Sequence, residues 1–118
     1  MLQTPRVRIR DFNPEWKTVT LECPPELEAQ WRELEAEVPP QELPWNSALT
    51  DYGLRIKIDD RTMFFDSNSV LVPPDLRTGA LVTCLIEIKS VYAYKGMSGF
   101  SCRIHQMKVH EQPGCMFI

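Results

Sequence analysis

"ALVTCLIEIKSVYAYKGMSGFSCRIHQMKVH", residues 80–110, decides the fold. From Ala80 to Tyr94, Val82, Cys84, Ile86 and Ile88 recur at every second position, and Tyr92 and Tyr94 continue the same parity. Alternation with a period of two builds a strand with one buried face. A strand this long bends at a bulge and either serves two sheets or closes a barrel. "KGMSG" then supplies a hairpin, with Gly96 and Gly99 read as turn residues because glycine reaches positive φ without steric cost. "FSCRIHQMKVH" returns as the last strand.

Working outward, "LRIKID" alternates Leu54, Ile56 and Ile58 with Arg55 and Lys57, and "TMFFD" and "SVLV" read as short strands. Pro73-Pro74 opens a turn or short helical segment, "PPDLRTG". "QELPWNSALTDYG" is a polar, irregular linker. Near the start, "RVRIRDF" alternates Val7 and Ile9 with Arg6, Arg8 and Arg10; Asn13-Pro14 turns the chain, and "WKTVTLEC" forms the second arm of an antiparallel hairpin. In "PPELEAQWRELEAEVPP", Leu27, Trp31, Leu34 and Val38 share one face of a helix; Pro25 suits its first turn and Pro39-Pro40 ends it. The result is one mainly β domain. It comprises an N-terminal hairpin and acidic helix (1–44), a β core (45–110) and a tail (111–118).

The net charge of −3 conceals an uneven distribution. Residues 1–20 carry +2, residues 21–44 set seven glutamates against Arg32, residues 45–75 carry −2, and residues 76–118 carry +3. A basic end therefore contrasts with an acidic middle, and the acidic helix face is plainly solvated, docks a basic partner or masks the protein's own basic groove. No apolar run approaches the ~20 residues of a membrane span, and the start lacks the basic-then-apolar order of a secretion signal. An intracellular protein is expected. Cys23, Cys84, Cys102 and Cys115 are scattered without metal-ligand spacing, so they read as reduced thiols. No phosphate-binding loop, nucleophile elbow, zinc-protease or dinucleotide motif is present, so no catalytic residue, cofactor or metal is assigned. Asp59-Asp60 with Asp66 suits turns better than magnesium, and His105 and His110 have opposite parity.

From Trp45 onward the order of "LRIKIDDRTMFFD" and "LRTGALVTCLIEIKSVYAYKGMSGFSCRIHQMKVH" resembles the small OB-fold single-stranded DNA-binding proteins of phages and large DNA viruses. The resemblance covers about residues 45–110. It rests on Leu76, Gly79, Val82, Ile86, Tyr92, Gly96, Gly99, Ser101, Ile104, Gln106 and Val109. It implies an OB-like five-stranded barrel with an additional N-terminal β-hairpin and one amphipathic helix. It also implies sequence-independent binding of single-stranded DNA, with RNA admitted as a competitor, during replication or recombination.

The residues support such a surface physically. In an OB barrel, unpaired bases stack on exposed rings along a groove while cations follow the phosphates. Tyr92 and Tyr94, two apart on a strand, emerge on one face about 7 Å apart. One of Phe64 and Phe65 enters the core and the other faces the groove. Arg55, Lys57, Lys95, Arg103, His105 and Lys108 form the expected basic track. Each also has a plain structural reading: half-buried packing for a tyrosine, solubility for a strand cation. Trp16, Trp31 and Trp45 read as core or interface residues. Self-assembly through the N-terminal hairpin or helix is expected, and the tail "EQPGCMFI" is a flexible end, packs on a neighbouring subunit or recruits replication proteins. The rival reading is an OB-like accessory or protein-interaction subunit that does not bind nucleic acid.

Overall fold

The computed structural model describes residues 1–112. Expectations about Cys115 and the apolar end of the tail lie outside them. The strands are β1 (Leu2–Gln3), β2 (Val7–Asn13), β3 (Thr18–Leu21), β4 (Leu49–Thr50), β5 (Gly53–Lys57), β6 (Met63–Phe65), β7 (Leu71–Val72), β8 (Leu81–Tyr94) and β9 (Met97–Glu111); α1 (Pro25–Ala36) follows β3.

Five strands pair in a closed ring. β2 pairs antiparallel with β3, β3 with β5, β9 with β8 and β8 with β2, and the junction of β5 with β9 is parallel. The ring closes because each strand turns alternate aliphatic residues inward: Val7 and Ile9, Val19 and Leu21, Leu54 and Ile56, Val82, Cys84 and Ile86, then Ile104 and Met107, all buried. The N-terminal hairpin is thus no addition to a ring made by residues 45–110. It supplies two of the five ring strands, and both edges of β2 and β3 are paired.

Helix α1 starts at Pro25, where the missing N–H costs nothing, and Glu26 and Glu28 favour the positive end of its dipole. It lays Leu27 and Trp31, both fully buried, onto the core. Each such side chain contributes about 1.5–3 kcal/mol or more by leaving water. Phe100 packs at right angles to two indoles, with centroids 5.7 Å away for Trp31 and 5.2 Å for Trp45. Trp45 also donates its Nε1–H to Glu35 at 2.7 Å, tying the segment after the helix back to it.

β8 and β9 form one ribbon, bent by bulges. Lys89 is an extra residue on β8, and His105 and His110 are extra on β9. Each bulge reverses the side-chain parity beyond it. At ~3.3 Å per residue the 14 residues of β8 are commensurate with the 54 Å long axis of the molecule. The hairpin turn is only Lys95-Gly96, both at positive φ (49° and 77°), which matches the twist of the flanking strands. Gly99 therefore lies within β9 and is no turn residue.

Candidate nucleic-acid interface

On β5, Leu54 and Ile56 point inward, which turns Arg55 and Lys57 to solvent. On the neighbouring β3, Val19 and Leu21 point inward and leave Thr18 and Thr20 on that same outer face. Two clefts lie over it. The first is lined by Trp16, Lys57, Tyr92, Tyr94, Phe100 and Cys102 among others, the second by Arg10, Asp11, Thr20 and Tyr52 among others. They share Thr18, Thr50 and Arg55, and so form one trough.

Among the described residues, the three aromatic side chains most exposed to solvent all border this trough: Tyr52 at 77%, Tyr94 at 67% and Trp16 at 64%. Trp16 sits in the turn between β2 and β3, where Asn13 accepts the backbone N–H groups of Glu15 and Trp16 at 3.0 and 3.1 Å. Tyr52 sits in the turn between β4 and β5, held to β2 by Arg10, whose guanidinium donates to the Tyr52 carbonyl at 3.1 Å. Tyr92 is half-buried. Its hydroxyl accepts a hydrogen bond from Asn46 Nδ2 at 3.2 Å, and its ring lies over Gly99, its partner on β9. Lys95 Nζ lies 5.4 Å from the centroid of Tyr94, at the ribbon tip.

Of the ten expected contact residues, Arg55, Lys57, Tyr92 and Tyr94 line the trough and Lys95 stands over Tyr94. The others lie elsewhere. Phe64 is buried in the core, and Phe65, on the opposite face of β6, lines a different cavity with Lys108. Arg103 is a correction to the expected basic track. Its side chain is 9% exposed and clamped by Glu87 at 3.0 Å and Asp59 at 3.1 Å, so it has no free face for phosphate. His105 Nδ1 lies 3.3 Å from the same guanidinium. Trp16 and Tyr52 were not singled out by periodicity, which placed Arg10 on a solvated strand face without joining it to this surface. The usable signal was an aromatic ring in a polar turn with no apolar neighbour to pack against.

The acidic groups also have structural work. Burial alone would raise the Asp59 pKa, but the Arg61 backbone N–H, the Arg103 and Arg61 guanidiniums and the Thr62 hydroxyl outweigh it and hold the carboxyl below its ordinary value. Asp66 accepts the N–H groups of Asn68 and Val70 in a turn. Burial pushes the Cys84 thiol up to about 12 and the Cys102 thiol, at the trough floor, up to about 11, so neither forms a thiolate near neutral pH. Among the described residues no three His, Cys, Asp or Glu side chains gather to hold a metal ion, and no helix is long and apolar enough to cross a membrane.

Compared with protein-family models, curated protein sequences and solved structures, the chain returns no match.

Proposed function

We propose that the chain binds single-stranded DNA along this trough, without sequence preference and without catalysis. The observation that carries the reading is convergence: Trp16, Tyr52, Tyr92 and Tyr94 from three separate turns and strands border one open channel with Arg55, Lys57 and Arg10. Flat rings accept any base, and each stacked base contributes ~1–3 kcal/mol. Cations beside them follow the phosphates, so affinity falls as salt rises.

The five-strand ring is read here as an OB-like barrel. In that fold oligonucleotides lie on the face of the second and third strands, between the loop joining strands one and two and the loop joining strands four and five. Counting ring strands in chain order, the second and third are β3 and β5, which carry Thr18, Thr20, Arg55 and Lys57. The two loops then carry Trp16 and Lys95. Coating of unwound strands in replication or recombination is the role that the resemblance of residues 45–110 adds.

Titration with oligo-dT at low and high salt, followed by tryptophan fluorescence, tests the proposal. Quenching with strongly salt-dependent affinity, lost in a Tyr92→Ala, Tyr94→Ala variant, supports it. Absence of binding at low salt rejects it and leaves the protein-interaction reading.

A further inference from the structure

A separate cavity of about 600 Å³, sharing no residue with the trough, lies where β1 and the turn after it approach β8, β9 and β6. Its size suits a small ligand. Arg6, Lys108 and His110 all line it, and among the described residues no carboxylate does. Neither Arg6 nor Lys108 forms an ion pair with any described residue. The bulge at His110 brings that imidazole beside Thr83, whose hydroxyl lies 2.8 Å from Nε2 and fixes the ring. Phe65, half-buried, gives the cavity an aromatic wall, and Gln106 adds an amide that can donate or accept.

Two permanent like charges around one hollow repel each other, an arrangement that an anion relieves. Their influence is visible in His110: burial, then the charges of Arg6 and Lys108, depress its affinity for a proton. A dianionic phosphate with three acceptor oxygens matches two permanent cations and an imidazole better than a monovalent ion does. The ring beside them selects for a flat group attached to that phosphate. A strand lying in the trough does not simply run on into this cavity. Between Cys102 and Gln106 on β9 lies the Arg103 clamp, which brings Glu87 and Asp59, each about a third exposed, into the path.

We infer that this cavity is a site for a nucleoside phosphate, its phosphate held among Arg6, Lys108 and His110 and its ring laid on Phe65. Two sources carry that group, a free nucleotide and the 5′-phosphorylated end of a nucleic-acid strand. The inference does not rest on the trough.

The test is an NMR titration of the whole chain with adenosine 5′-monophosphate, with adenosine, and with dT oligomers bearing or lacking a 5′-phosphate. The monophosphate should move the resonances of Phe65, Thr83 and His110 saturably, and adenosine should bind at least tenfold more weakly. An Arg6→Ala, Lys108→Ala variant should lose at least tenfold in affinity for the monophosphate. A Tyr92→Ala, Tyr94→Ala variant should bind it as the wild type does. Occupancy by the phosphorylated oligomer at lower concentration than the monophosphate assigns the site to strand ends; the reverse order assigns it to free nucleotide, and both outcomes support the cavity. No saturable shift at these residues, equal affinity for adenosine, or an unchanged affinity in a folded Arg6→Ala, Lys108→Ala protein would overturn it.

Discussion

Gly99→Ala should move Tyr92 without touching it chemically. A Cβ at residue 99 would stand 2.7 Å from the Asn46 carbonyl oxygen and 2.9 Å from both Cε1 and Oη of Tyr92. Comfortable carbon contacts lie at about 3.5–4.0 Å, so something must yield by roughly 0.6–1 Å. Asn46 is poorly placed to yield: its N–H donates to Ser98 at 2.6 Å, and the Ser98 N–H donates to Pro44 at 2.9 Å, so the strap across β9 is pinned on both sides. The tyrosine ring therefore gives way, losing its hydrogen bond from Asn46, while the contact with the pinned Asn46 carbonyl persists as strain between the strap and β9. Overpacking of this kind costs about 1–3 kcal/mol of stability. A displaced base platform costs ~1–3 kcal/mol of binding, roughly 5- to 150-fold in Kd for oligo-dT. The assay is thermal unfolding and fluorescence titration of Gly99→Ala, Tyr92→Ala and the double variant. The single variants should weaken binding similarly, and the double should weaken it little further, because both remove the same platform. A Gly99→Ala protein with wild-type stability and wild-type affinity would refute the reasoning.

Four cations, Arg10, Arg55, Lys57 and Lys95, border the trough or its rim, so the logarithm of affinity should fall against the logarithm of salt with a slope on the order of −3, at ~0.7 per single-strand phosphate contact. Arg55→Ala with Lys57→Ala should halve that slope in the same titration. Arg103→Met should destabilise the fold by about 1–3 kcal/mol in urea unfolding, since Glu87 and Asp59 lose their partner while keeping some access to water, and should leave oligo-dT affinity unchanged. Because the folded-state pKa of Asp59 lies below its ordinary 3.8, its contribution is present above that value and is lost as pH falls through the depressed one. Stability followed from pH 6 to 2 should therefore drop less steeply in Arg103→Met than in the wild type. Gly53→Ala should cost about 2–4 kcal/mol, because Gly53 has φ +136° and a Cβ there collides with the Leu21 carbonyl oxygen; unfolding midpoints measure it.

The long ribbon was legible because Val82, Cys84 and Ile86 repeat at a local spacing, and α1 because Leu27 and Trp31 do so at another. Ring closure was not. It depends on Val7 meeting Val82 and Arg8 meeting Leu81, a pairing across most of the chain that no local pattern encodes, and so the hairpin looked separate from the core. Parity counting placed Arg55 and Lys57 on a solvent face, where they stand. It could not foresee the fate of Arg103, because the Asp59 that fixes it comes from the turn before β6 and Glu87 from the partner strand. Lys108 lies beyond the bulge at His105, which breaks the count made along β9. Trp16 and Tyr52 belong to turns, where periodicity carries no information, and their exposure follows from having no apolar company in sequence.

The most direct test uses the three indole N–H resonances of the folded chain. Trp31 is fully buried, Trp45 is bonded to Glu35, and Trp16 stands open at one wall of the trough. On adding oligo-dT at low salt, the Trp16 signal should shift saturably and return toward its free position as salt is raised, while Trp31 stays in place. A Trp16 resonance unmoved by a saturating excess of oligo-dT would contradict the claim that unpaired bases lie in this channel.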